Sequence, residues 1–292
     1  MENEQERLEA LNLQESGCYY EITPDESQKA LRNLWKEIER FQTCDIVYCF
    51  GEERHPMTAA DCAFFLTAEN GLPVQDEKGS FVLDEEAVAA YVQSLAEEYD
   101  GYGRTRQFHS TRGDVITIDG GTYGSKMDRK KETAYLLEHL LDPGVHTGTP
   151  QSHIPSYERE AFCYGKNDIG DTYIEVDMTE QKMYYYEKGV LKLETEIVTG
   201  NMRRRMGTPE GVNFVYNKQK NRVLRGPGYA SPVKFWMPVK GGIGIHDAGW
   251  RKEFGGDIYQ TAGSHGCINT PKDKMEELFD CVQIGTPVVM FY

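Results

Sequence analysis

The chain has 292 residues, with 32 Lys+Arg against 47 Asp+Glu for a formal net charge of −15 at pH 7. That length points to two domains rather than one core, and no apolar run reaches the roughly 18 residues that a membrane-spanning helix needs. Residues 167–292 hold sixteen basic and sixteen acidic side chains, so residues 1–166 carry the whole excess of acid, which argues against nucleic acid or an anionic membrane surface as partner.

Residues 1–22 read as an acidic N-terminal extension without the basic and apolar regions of a signal peptide. Thr23-Pro24-Asp25-Glu26 reads as a helix start, with threonine as cap and proline in the first turn. Behind it Leu31, Leu34, Trp35, Ile38 and Phe41 recur at helical spacing and define one apolar face. Asp45–Phe50 is predicted as a strand, Thr58–Thr67 as a helix, and a third helix starts at Asp84 with Val88, Tyr91, Val92 and Leu95 on one side. Asp114–Ile118 alternates like a strand and runs into the glycine-rich turn Asp119–Gly124. Gly120, Gly121 and Gly124 lack the Lys-Ser/Thr of a phosphate-binding loop. A fourth helix, Arg129–Leu141, stops at Asp142-Pro143-Gly144. Residues 23–150 are therefore expected to form a mixed α/β domain, and 151–166, rich in small residues, a linker.

From residue 167 the texture changes to short, closely spaced strands: Tyr173–Val176, Lys182–Tyr186, Val190–Val198, Val212–Tyr216 and Val233–Val239. One helix, Lys272–Val282, and a last strand, Pro287–Phe291, close the chain. Residues 167–292 are thus expected to be a mainly-β sandwich with one helix, and the whole chain a two-domain α+β protein. The odd count of seven cysteines leaves at least one thiol unpaired. Cys18, Cys44, Cys49, Cys62, Cys163 and Cys281 read as small buried hydrophobes.

The remaining cysteine differs. Ser264-His265-Gly266-Cys267-Ile268-Asn269 begins eighteen residues after His246, which ends the apolar run Gly242–Ile245. A thiol after glycine, with histidines nearby, has the makings of an activated nucleophile, with an imidazole to take its proton and return it to a leaving amine. Glycine permits a sharp turn and close approach of substrate, and backbone N–H groups at Gly266 and Cys267 are candidates to face a developing oxyanion. Ser264 and Asn269 are expected to hold the loop through local backbone bonds. Asp247 follows His246 directly, so on a strand it points to the opposite face and is not assigned as the orienting carboxylate. His246, His265 and Cys267 lack the paired spacing of a metal site, and no metal or organic cofactor is expected. Tyr229, Trp236 and Trp250 are candidates to wall a substrate groove, with a place in the core as the alternative. Arg203-Arg204-Arg205 reads as a solvated loop.

The run IGIHDAGWRKEFGG…GSHGCINTP resembles the active-site signature of the YkuD-type L,D-transpeptidases, and the resemblance covers roughly residues 167–292. The segment from Phe108 through Gly124 resembles the peptidoglycan-binding α/β domain that often precedes that catalytic domain. The resemblance implies Cys267 as nucleophile and His246 as general base and acid, oriented by a backbone carbonyl; His265, flanking the nucleophile, is a supporting residue, either bonding near the oxyanion site or fixing the loop. It implies 3→3 cross-linking of peptidoglycan through a Cys267 thioester, with tetrapeptide stems as donor and acceptor and carbapenems as acylating inhibitors. It also implies an extracytoplasmic location at the cell-wall face, anchored by an N-terminal segment absent from this chain. Two alternatives stay open: an L,D-carboxypeptidase hydrolysing the same bond, and a catalytically idle wall-binding protein.

Overall fold

The computed structural model describes residues 25–226 and 228–292. The cap expected at Thr23, ahead of Pro24, lies outside those residues. Helix α1 (Glu26–Phe41) is instead capped by Asp25, whose side chain accepts from Gln28 N while the Gln28 side chain accepts from Asp25 N, a reciprocal arrangement that satisfies two otherwise orphaned donors. Its predicted face is only partly used. Leu34, Ile38 and Phe41 pack on the core, while Leu31 and Trp35 stay 58% and 60% exposed.

Strand β1 (Ile46–Phe50) follows and pairs antiparallel with β2 (Glu53–Pro56). Helix α2 (Ala59–Phe64) is shorter than the expected 58–67, because from Leu66 the chain pairs with Leu83 instead. A small hairpin, β3 (Ala68–Glu69) and β4 (Leu72–Pro73), leads to α3 (Glu85–Tyr99), capped by Asp84. Strands β5 (Arg106–His109) and β6 (Val115–Ile118) form a second hairpin. After β7 (Lys126–Met127) comes α4 (Arg129–His139), which packs with α3 on a core including Tyr48, Phe50, Phe65, Val92, Leu95 and Leu136.

Residues 151–166 are not a plain linker. β8 (Gln151–His153) pairs parallel with β1, and β9 (Tyr157–Arg159) pairs with β7. Their extended backbone completes the ladders of the first domain, whose boundary therefore falls later than composition suggests.

The second domain is a two-sheet sandwich. One sheet has the order β12-β11-β10-β18-β13, from β10 (Tyr173–Asp177), β11 (Lys182–Glu187), β12 (Val190–Glu196), β13 (Gly211–Phe214) and β18 (Pro287–Phe291). The other runs β14-β15-β16-β17, from β14 (Gln219–Gly226), β15 (Tyr229–Lys240), β16 (Ile243–Asp247) and β17 (Ile268–Thr270). The inner faces meet over Ile174, Met183, Phe235, Met237, Ile245, Ile268 and Val288, and α6 (Lys272–Cys281) closes one side with Met275, Leu278 and Phe279. Strand alternation puts these residues on the inner faces. The short helix α5 (Ile258–Ala262) precedes the cysteine loop.

The β5–β6 hairpin of the first domain lies on the outer face of the five-stranded sheet. Phe108, Ile118 and Tyr123 share a core with Ile169, Val212, Val289 and Phe291. Arg106, buried, forms a two-pronged ion pair with buried Asp168, Nε to Oδ1 at 2.8 Å and Nη2 to Oδ2 at 2.5 Å. The glycine-rich turn docks here too: Gly121 has φ +102, pairs with Val212, and a Cβ on it would sit 2.0 Å from the Val212 carbonyl oxygen. Gly121 serves this contact between domains, whereas a Cβ on Gly124 would meet the Gly101–Tyr102 backbone of the first domain.

Candidate active site

β16 and β17 run side by side and parallel, with His246 opposite Asn269. Two-residue alternation places His246, Cys267 and Asn269 on one sheet face. The loop before β17 is tied down residue by residue to 199–201: Ser264 N donates to Thr199 O and Asn201 N to Ser264 O, each at 2.9 Å. Gly266 sits at φ +110, a left-handed conformation that side chains resist. Ser264 Oγ staples the turn, accepting from Gly266 N at 3.0 Å and donating to Cys267 O at 2.5 Å. The Gly266 N–H, one of the two backbone donors considered for an oxyanion, is thus bonded to Ser264 within the loop.

His246 is buried, 3% exposed. Its Nδ1 lies 2.9 Å from the Asp247 carbonyl oxygen, an acceptor only, so Nδ1 carries the proton and Nε2 keeps its lone pair. Asn269 Nδ2 lies 3.3 Å from Nε2. The Asp247 carboxylate turns the other way and accepts from Lys234 N and Phe235 N at 2.8 and 2.7 Å. The rings of Trp236 and Trp250 lie 5.8 Å from the imidazole centroid, one on each pairing. Burial holds His246 below the ordinary imidazole value, against the Asp247 carbonyl and charge, with nearby Arg251 adding to the lowering.

Cys267 Sγ lies 3.7 Å from the Gly242 carbonyl oxygen, its acceptor. Burial raises its thiol above the ordinary value, and a hydrogen bond from the Gly244 backbone works in the opposite sense. Desolvation penalises both charges and works against a thiolate–imidazolium pair at rest.

Cys267 opens on two cavities. One, of about 180 Å³, is shared with His246, Trp250, Arg251, Ser264, His265 and Asn269. The other, of about 400 Å³, lies under the β14–β15 hairpin and includes Tyr216, Arg222, Arg225, Trp236 and Gly242. A thiol accessible from two sides, with an imidazole on one of them, suits transfer of an acyl group between two large partners.

The comparisons agree with that chemistry. Residues 171–290 match the family model described as the L,D-transpeptidase catalytic domain, and residues 68–144 match the one described as "Putative peptidoglycan binding domain". The crystal structure of a serine-for-cysteine variant of Enterococcus faecium L,D-transpeptidase is 35% identical, covering 89% of this chain and 100% of that one, with a TM-score of 0.76. This chain belongs to the L,D-transpeptidase family. A second structure, the Ldtfm–avibactam carbamoyl enzyme, is also 35% identical, covering 90% of this chain and 99% of that one, with a TM-score of 0.76. No curated protein matches the chain.

As a member of this cysteine acyltransferase family, the chain carries its other candidate residues in mixed positions. Trp236 is buried and lines the cavity under the hairpin, whereas Trp250 is 52% exposed at the mouth of the His246 cavity. The side chain of Tyr229 lies outside the described residues. Of the other cysteines, Cys49 and Cys62 are buried, Cys44 and Cys163 half-buried, and Cys281 exposed. Cys281 thus corrects the reading of a buried hydrophobe: the last turn of α6 faces it outward. Cys18 lies outside the described residues. Among the described residues no group of three or more His, Cys, Asp or Glu could hold a metal ion, and no helix is long and apolar enough to cross a membrane. Sequence reasoning missed Arg251, which lines the cavity with its Nε 2.8 Å from Asn269 Oδ1. Its only signal is a basic residue five positions after His246.

Proposed function

We propose that the chain cross-links peptidoglycan stems through a thioester on Cys267. Cys267 Sγ attacks the carbonyl carbon between the third residue of a tetrapeptide stem, a diamino acid, and the terminal D-Ala. His246 Nε2 takes the thiol proton as the C–S bond forms, then passes it to the nitrogen of D-Ala as the C–N bond breaks. The side-chain amine of a second stem's third residue attacks the thioester and gives a proton to His246. The Cys267 sulfur leaves and recovers that proton, and a 3→3 link results. The observation that carries this reading is the tautomer of His246, which leaves Nε2 without a proton, in a side chain that lines the same cavity as Cys267. Both amines, leaving and incoming, exchange protons with His246 and so use its cavity. The acyl group held on sulfur uses the other one, between Trp236 and the hairpin.

In this scheme Ser264 and Gly266 hold the loop, Asn269 faces the imidazole, and His265 supports the developing oxyanion. Trp236 and Trp250 wall the two approaches. The first domain, residues 23–150 together with β8 and β9, contacts the wall polymer, and the enzyme acts at the cell-wall face of the membrane. A β-lactam carbonyl is a strained version of the same electrophile, so carbapenems acylate the same sulfur. The avibactam carbamoyl enzyme known for the 35% identical relative supports this.

Incubation with disaccharide-tetrapeptides bearing L-Lys or meso-diaminopimelate, followed by mass spectrometry, tests the proposal. The expected product is a dimer lighter by one D-Ala than two donors. Tripeptide without dimer would identify a hydrolase instead, and no turnover of either stem would remove the reading.

A further inference from the structure

An asparagine can present either its oxygen or its NH2 group to a neighbour, and at this site the choice sets the charge of the base. With Nδ1–H given to the Asp247 carbonyl, Nε2 must be an acceptor if His246 is neutral. An amide NH2 facing Nε2 favours that neutral form, whereas an amide oxygen there favours a second proton, and so the imidazolium. Arg251 has five N–H donors and no acceptor, so it can pair only with the oxygen of Asn269. Its Nε donates to Asn269 Oδ1 at 2.8 Å, and its Nη2 donates to Ala262 O at 2.9 Å. The arginine itself is pinned, since its backbone N donates to Ala248 O at 2.9 Å and Ala248 N donates to Thr270 O at 3.0 Å.

We infer that Arg251 is a positioning residue which, by locking the Asn269 amide, keeps His246 in its neutral, proton-accepting form. The inference rests on the acyl-transfer reading for its purpose, but not for its geometry. The charged or titratable groups around the imidazole are few. Asp247 lies on its own strand with the carboxylate turned to β15, Arg251 comes from the following turn, and Cys267 and His265 come from the loop before β17. The neighbours from β15 and the turn, Trp236 and Trp250, carry no charge. Of these groups only Arg251 both repels a proton on His246 and dictates which end of the amide faces Nε2. Its loss therefore acts twice in one direction.

The experiment uses the full chain and its Arg251→Met and Arg251→Lys variants, with two readouts. One is the NMR titration of the His246 imidazole; the other is the pH profile of acylation by imipenem. Arg251→Met is expected to move the His246 midpoint and the acid limb of the profile upward together, by about one unit. Arg251→Lys, which keeps a cation that only donates, holds both closer to the wild-type values. An unchanged midpoint in Arg251→Met, whatever its activity, overturns the inference, as does an equal shift in the lysine variant. If Arg251→Met fails to fold, Asn269→Asp places a group that only accepts against Nε2 and must raise the midpoint. No rise there overturns it too. Absence of acylation in the wild-type chain would instead strike the proposed function, while the titration would still be readable.

Discussion

At the scale of single residues, desolvation decides the resting chemistry. Burial pushes the Cys267 thiol up and the His246 imidazole down, so desolvation disfavours the charged form of each. The sign follows directly. A thiol with a raised value is largely protonated at neutral pH, and a histidine with a lowered value stays a base into mildly acid solution. Alkylation by iodoacetamide, which needs thiolate, should therefore be slow at Cys267 near pH 7. Its rate should climb without a plateau to above roughly pH 8.5, the ordinary thiol value. Peptide-resolved mass spectrometry separates Cys267 from exposed Cys281; a pH-independent plateau at neutrality for Cys267 would show a preformed ion pair. That Cys267 and His246 come together was legible because each sits in a short contiguous motif. Arg251 was not, since it acts through Asn269, eighteen residues away, and only the parallel pairing of β16 and β17 brings the two together.

At the scale of elements, strands with an inward face were legible, and strands whose neighbours supply the burial were not. β11 and β18 carry continuous apolar or aromatic residues, and β10 alternates Ile174 and Val176 with Glu175 and Asp177. β14 carries Lys220, Arg222 and Arg225 and is mostly exposed; its partner β15 makes it a strand, and no periodicity announces it. β8 and β9 were hidden likewise, because three-residue strands have too short a pattern to show period two. The glycine-rich turn was visible as a turn, but its purpose lay in a contact with Val212, more than eighty positions on. Gly121→Ala tests that purpose. The new Cβ would meet the Val212 carbonyl oxygen at 2.0 Å in a left-handed backbone, and the expected cost is about 1–3 kcal/mol, read by urea denaturation. An unchanged midpoint would mean that the turn does not bear on the sheet.

At the scale of the molecule, two domains were legible from length and texture, but their joint was not. Phe108, Ile118 and Tyr123 bury Val212, Val289 and Phe291, so the five-stranded sheet borrows part of its outer cover from the first domain. The Arg106–Asp168 pair fixes that cover. Arg106→Met leaves an uncompensated carboxylate and should cost about 3–5 kcal/mol, while the double change with Asp168→Leu should recover most of it. Calorimetry reads both, and a single variant as stable as wild type would show the pair to be dispensable. The proposed function turns on one event, acyl transfer to a single sulfur. The direct measurement is the intact mass of the chain, with the site located by digestion, after brief exposure to a disaccharide-tetrapeptide. The account predicts an adduct of donor minus D-Ala on the peptide containing Cys267, absent in Cys267→Ala. An adduct that persists in that variant, or one carried by another cysteine, would contradict it.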